Sequence, residues 1–78
     1  MIFMEGYLLL ECSSGNVWKV LADIVKIDGI KVAHVVSGNF DIIAFAEFSN
    51  IEELSSLIQQ VQTVPNVQKT QTAIAMTK

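Results

Sequence analysis

Residues 30–48, IKVAHVVSGNFDIIAFAEF, decide the fold. Two runs of β-branched and aromatic residues flank Ser37-Gly38-Asn39-Phe40, and Gly and Asn tolerate the positive φ that a chain needs where one strand turns back on the next. The stretch predicts strands over 30–37 and 41–48, joined as a hairpin. A hairpin explains the turn residues. It does not explain Asp41, a carboxylate at the head of one of the most apolar runs in a chain only 17% charged.

Helical spacing appears on both sides of this hairpin. Before it, Val17, Val20, Leu21, Ile24 and Val25 recur at intervals of three and four, a stripe that runs to Ile27 and stops at Asp28-Gly29. Ser13, Ser14 or Asn16 stands where a cap is needed. After it, Ile51, Leu54, Leu57, Ile58 and Val61 form a second stripe, with Ser49 or Asn50 as the cap and Glu52 and Glu53 in the first turn, where the helix dipole favours acids. Residues 7–12 and 66–76 read as outer strands.

The order is therefore β-α-β-β-α-β, and the halves echo each other at an offset of 37 residues. Leu21, Ile24 and Ile30 fall on Ile58, Val61 and Val67, while Asp28-Gly29 falls on Pro65-Asn66. Two interleaved right-handed βαβ units give an α+β, ferredoxin-like sandwich: a four-stranded antiparallel sheet with two helices on one face.

The first and third strands carry apolar residues on both faces. Ile42, Ala44, Ala46 and Phe48 alternate with Ile43, Phe45 and Glu47, and Leu8, Leu10 and Cys12 alternate with Tyr7, Leu9 and Glu11. Helices cover one face only, so the other calls for a second sheet, a homodimer packed face to face. A charge at Ala44 or Ala46, whichever lies on that interface, is expected to break it. Length points the same way, because a 78-residue chain is one domain (1–78) and buries only about 60% of the surface its unfolded form exposes. One Cys and one His leave no disulfide or metal to make up the difference.

Composition narrows function. A net charge of −3, with five scattered lysines and no arginine, offers no basic stripe for phosphates, so direct nucleic-acid binding is not expected. No apolar run approaches a membrane span and the N-terminus has no basic leader, which with a free thiol reads as cytoplasmic.

The run VVSGNFDIIAF, with a helix ending IDGI before it and a helix ending VPNV and then QKTQTAIAM after it, resembles the ligand-binding and oligomerisation module of the leucine-responsive regulatory protein/AsnC family, the RAM domain. The resemblance spans about Tyr7 to Met76. Its most specific part is Gly-x-aromatic-Asp at Gly38–Asp41, supported by Thr70-x-Thr72, although Phe40 stands where the family more often has Tyr. It implies a non-enzymatic regulatory module without cofactor. The family's modules dimerise through their sheets, and the dimers form rings, commonly of four or five, that hold small effectors, mostly amino acids, between neighbouring dimers. By position it implicates Gly38, Asn39, Asp41, Thr70 and Thr72. Full-length members carry a helix-turn-helix before the module. Here a strand opens within ten residues, which reads as a stand-alone form acting on transcription indirectly, with or alongside DNA-binding family members, from a start at Met1 or Met4.

An ammonium and a carboxylate need an anionic acceptor on one side and N–H or hydroxyl donors on the other, and these residue types supply both. The plainer reading gives Asp41 hydrogen bonds from the hairpin's own backbone and makes the threonines ordinary strand residues. His34 reads as lining a sheet face, Trp18 as packing at the start of the first helix, and Cys12 as a small apolar residue. Two other classes share the topology. An ACT-like amino-acid-sensing subunit of an enzyme would place its glycine loop after the first strand, where SSGN (13–16) looks like a helix cap. A small dimeric ferredoxin-like enzyme, such as a cofactor-free monooxygenase, would need more His, Trp or Arg than this chain has.

Overall fold

A computed structural model of the chain describes residues 3–76. Six elements follow in order: β1 (Met4–Cys12), α1 (Val17–Ile24), β2 (Ile30–Val35), β3 (Ile42–Phe48), α2 (Ile51–Gln62) and β4 (Val67–Ile74). They form one antiparallel sheet in the order β2-β3-β1-β4, with both helices packed on one face. This is the ferredoxin-like arrangement that the element order predicts. Of the two candidate starts, Met4 opens β1 and Met1 lies outside the described residues.

Alternation along the central strands separates the faces. Leu8, Leu10, Ile42, Ala44 and Ala46 are buried against Val20 and Ile24 of α1 and Leu57 and Val61 of α2, with Phe48 buried at the end of β3. Ala44 and Ala46 are therefore core residues under the helices and not residues of the open face. A charge there would attack the protomer itself, and the residues that test the open face are Ile43 and Phe45.

The half-repeat survives in the backbone. Gly29 (φ 98°) and Asn66 (φ 76°) are both left-handed and each precedes a strand. In each case the strand's first amide turns back to the residue three before it, Ile30 N–H to the Ile27 carbonyl at 3.1 Å and Val67 N–H to the Val64 carbonyl at 3.3 Å. The left-handed residue's carbonyl then accepts from the end of the neighbouring strand, Glu47 N–H at Gly29 (2.9 Å) and Ser13 N–H at Asn66 (2.9 Å). Gly and Asn are the residue types for which this backbone costs least.

Boundaries move where these turns form. α1 ends at Ile24 and not Ile27, because Val25–Asp28 is spent bringing Gly29 to its position. β2 ends at Val35, β3 begins at Ile42, and β4 spans Val67–Ile74. At α2 the Asn50 side chain accepts the Glu53 N–H at 2.8 Å and the Glu53 carboxylate accepts the Ser49 N–H at 2.8 Å, a reciprocal cap. α1 has no such cap. Asn16 occupies the position, but its side-chain amide donates to Ser13 Oγ and the Ser14 carbonyl, so SSGN is a self-bonded loop. Trp18 does not pack at the start of α1, and 69% of it is exposed, since it lies off the stripe that Val20 and Ile24 bury.

Candidate functional site

β1 ends, β3 begins and β4 begins at the same end of the sheet, beside the β2–β3 turn. The pairings place Val35, Ile42, Leu10 and Thr70 in one row across all four strands. Asp41 stands just beyond that row. Its N–H donates to the Leu10 carbonyl (2.8 Å), its carbonyl accepts the Val36 N–H (2.9 Å), and its Oδ2 accepts the Cys12 N–H (2.8 Å).

The last bond answers the question that Asp41 raises. The β1–β4 pairing slips between Glu11 and Cys12, and β3 has already ended, so the Cys12 amide would lack an acceptor on that side. The Asp41 carboxylate continues the ladder from a side chain. Its partner lies 29 residues away on β1, and not in the hairpin's own backbone as the plainer reading expects. Among the described residues Oδ1 makes no hydrogen bond, and the amides of Gly38, Asn39 and Phe40 find no acceptor. Gly38 is left-handed (φ 116°) with open space around it, while Asn39 keeps negative φ.

The threonines lie on the helix-side face of β4. Thr70 is opposite Leu10 and its hydroxyl accepts Gln62 Nε2 at 3.3 Å, while Thr72 is opposite Leu8, one step further from the turn. Both are half-buried. With strands about 4.8 Å apart, Asp41 and Thr70 are roughly 10 Å apart across β1. The protomer thus brings Asp41, the turn amides and Thr70 to one end of the sheet.

Cys12 sits at this end as well. Burial, and then the negative charge of Asp41, push its thiol above the ordinary value of 9.0, so the thiol form persists at neutral pH. Its alkylation by iodoacetamide at pH 8 is expected to be slower than that of a free cysteine. Because the folded state holds the proton more tightly than the unfolded one, this contribution to stability is full below about pH 9 and is lost as pH rises above it. Denaturant melts at pH 7 and pH 10 check the sign.

The described residues also form depressions elsewhere, two of which are well defined. One, of about 270 Å³, is lined by Asp28, Gly29, Glu47, Phe48, Glu53, Ser56, Leu57 and Gln60 at the far end of the sheet. The other, of about 360 Å³, is on the open face and is lined by Tyr7, Val32, His34, Ile43 and Phe45. Alternation shows that both faces of β3 are apolar, but a depression on the open face depends on how rings from neighbouring strands tilt. Tyr7 and Phe45 pair directly with ring centroids 5.5 Å apart at 53°. His34 lines the open face, as expected.

A family model described as the Lrp/AsnC ligand binding domain matches residues 5–78. The chain belongs to that family. The Lrp/AsnC family is one of transcriptional regulators and not of enzymes. The HTH-type transcriptional regulator FL11 of Pyrococcus abyssi is 26% identical over 73 residues, 94% of this chain and 48% of the regulator, so the chain spans about half the length of that curated relative. The crystal structure of FFRP-DM1 is 26% identical with a TM-score of 0.87, covering 94% of this chain and 99% of that one. TTHA0845 of Thermus thermophilus shares the fold at a TM-score of 0.91 and 20% identity over 96% and 95% of the two chains. The fold is shared too by the regulator NMB0573 of Neisseria meningitidis, solved as an L-Met complex, at a TM-score of 0.85 and 13% identity over 96% of this chain and 51% of the regulator. Among the described residues no helix is long and apolar enough to cross a membrane.

Proposed function

We propose that this Lrp/AsnC ligand-binding domain is a regulatory module that binds a small effector, an amino acid, at the turn end of the sheet, in a site completed by a neighbouring dimer of the same chain. The carrying observation is the divided role of Asp41. One carboxylate oxygen ends β1 and the other is available to an ammonium, beside turn amides available to a carboxylate. The Thr70 and Thr72 hydroxyls are the further donors that a neighbouring dimer would approach. The existence of an L-Met complex in the fold supports the ligand class.

In this reading the open face is covered by a second copy, sheet on sheet, and the dimers associate into a ring of four or five. The chain carries a net charge of −3 and does not bind DNA alone, so it acts on transcription by assembling with or beside DNA-binding family members in the cytoplasm. Duplex DNA retained by the purified protein in a salt-dependent way would contradict this.

Two variants separate the roles of Asp41. Asp41→Asn keeps an acceptor for the Cys12 amide and removes the charge, and Asp41→Ala removes both. A charged hydrogen bond contributes about 1.5–3 kcal/mol, so calorimetry with methionine should show affinity lowered about tenfold to a hundredfold in either variant. Only Asp41→Ala should also lose stability, by about 1–3 kcal/mol, through the orphaned Cys12 N–H. Unchanged affinity in Asp41→Asn reduces Asp41 to the cap of β1.

A further inference from the structure

The turn between α1 and β2 contains Asp28-Gly29, and no other aspartate or asparagine of the chain is followed by glycine. Asp28 is exposed and lines the 270 Å³ depression together with Gly29, so water and a moving side chain both have room there. The peptide group between the two residues is bonded at neither end. Among the described residues the Asp28 carbonyl accepts no hydrogen bond and the Gly29 N–H donates none. The groups on either side are engaged, with Ile30 N–H on the Ile27 carbonyl (3.1 Å) and Glu47 N–H on the Gly29 carbonyl (2.9 Å). The other aspartates differ. Asp23 lies in α1 ahead of the buried Ile24, and Asp41 precedes the buried Ile42 with its amide, carbonyl and carboxylate all bonded. The asparagines precede Val17, Phe40, Ile51 and Val67, whose side chains screen the following amide, whereas glycine leaves it bare.

We propose that Asp28 is a site of spontaneous covalent modification, at which its carboxyl group closes on the Gly29 amide and reopens as an isoaspartyl link. In the first step the Gly29 nitrogen attacks Asp28 Cγ, so that an N–Cγ bond forms, the Cγ–OH bond breaks and water leaves with the amide proton. A five-membered succinimide ring results. Water then adds to one of the two ring carbonyls. Cleavage of the N–Cγ bond restores Asp28, whereas cleavage between the nitrogen and the main-chain carbonyl carbon routes the chain through Cβ. The steps return the water they release and need no oxidant or enzyme. Proximity drives closure, because the nitrogen and the carboxyl carbon belong to adjacent residues. Rotation of the unbonded peptide group brings them together without breaking a hydrogen bond. Packing fixes the glycine, since a Cβ at Gly29 would lie 2.6 Å from Leu57 Cδ1, and the fold therefore keeps the reactive pair. The isoaspartyl product has one more carbon in the main chain within the Ile27–Ile30 turn, which displaces the Gly29 carbonyl from the Glu47 amide at the start of β2.

The experiment ages the full chain in neutral buffer at 37 °C for several weeks, beside Asp28→Glu, whose longer side chain would have to close a slower-forming six-membered ring. A synthetic peptide of residues 24–34 is aged with them. Cleavage after Lys26 and Lys31 isolates residues 27–31, in which the isoaspartyl form separates by chromatography at unchanged mass and the ring form is lighter by one water. The isoaspartyl fraction of 27–31 should rise steadily in the wild type, at least several-fold above that at Asp23 or Asp41, and stay absent in Asp28→Glu. Aged wild type should also melt several degrees below fresh protein, and aged Asp28→Glu should not. Wild-type 27–31 that stays unchanged overturns the inference, and conversion of the free peptide in the same buffer then assigns the protection to the turn. Equal conversion at Asp23 or Asp41 overturns the choice of site. Conversion without any loss in melting temperature overturns its effect on the α1–β2 turn.

Discussion

Gly29→Ala lowers the stability of the domain by about 3 kcal/mol. A Cβ at this position meets Leu57 Cδ1 at 2.6 Å and the Glu47 carbonyl oxygen at 3.3 Å, and φ is 98°. The left-handed backbone costs a residue with a Cβ about 1–2 kcal/mol, and forcing a methyl into a packed core costs about 1–3 kcal/mol more. Leu57 is itself buried on α2, and the Glu47 carbonyl belongs to β3, so neither yields without disturbing the contact between helix and sheet. In a domain of this size the loss should lower Tm by more than about 10 °C. Gly38→Ala is the matched control. Its φ is 116° but nothing lies within 4 Å, so only the backbone term of about 1–2 kcal/mol applies. Equal melting temperatures for the two variants would show that the close approach at Gly29 does not matter.

Phe45→Glu is expected to dissociate the proposed sheet-to-sheet dimer and to spare the fold. Phe45 is half-buried on the open face, paired with Tyr7, and Val32 beside it is 43% exposed. Covered by a second sheet, a carboxylate there would lie unpaired among apolar groups at a cost of several kcal/mol, twice per symmetric interface, which is several hundredfold or more in affinity. Light scattering at micromolar concentration should fall to the 8.6 kDa of one chain while circular dichroism is retained. Ala44→Glu, one residue away, should instead unfold the protomer, because Ala44 is fully buried under the helices. Both variants behaving alike would overturn the assignment of the two faces.

That one-residue difference shows what is legible in the sequence and what is not. Element order, strand pairing and the presence of two apolar faces follow from periods of two and 3.6, and the 37-residue echo aligns Asp28-Gly29 with Pro65-Asn66, where the structure then shows Gly29 and Asn66 to be left-handed. Which face each alanine joins is an absolute phase that alternation leaves open until a helix is packed against one side. Trp18 misleads for a related reason: an aromatic next to an apolar stripe looks like part of it, and only the angular position on α1 puts it outside. Cys12 is legible as a small apolar residue, but its amide as the partner of Asp41 is not. Backbone groups carry no pattern in the sequence, and the need for an acceptor arises only from the slip between Glu11 and Cys12. The candidate site is half legible. Resemblance points to Gly38, Asn39, Asp41, Thr70 and Thr72, and the protomer gathers Asp41, the turn and Thr70 at one end, with Thr72 one step further along β4; the neighbouring dimer proposed to complete the site leaves no pattern in one chain's sequence.

The central claim is that this end of the sheet binds an amino acid, and a thermal-shift screen of the twenty common amino acids against the wild-type protein tests it most directly. A ligand at a hundred times its Kd stabilises the folded state by about 2.7 kcal/mol, which in a domain of this size raises Tm by roughly 10 °C or more. At least one amino acid at millimolar concentration should produce a shift that saturates with concentration and shrinks in Asp41→Asn. No shift with any of the twenty, from a protein shown to be folded and assembled, would contradict the account.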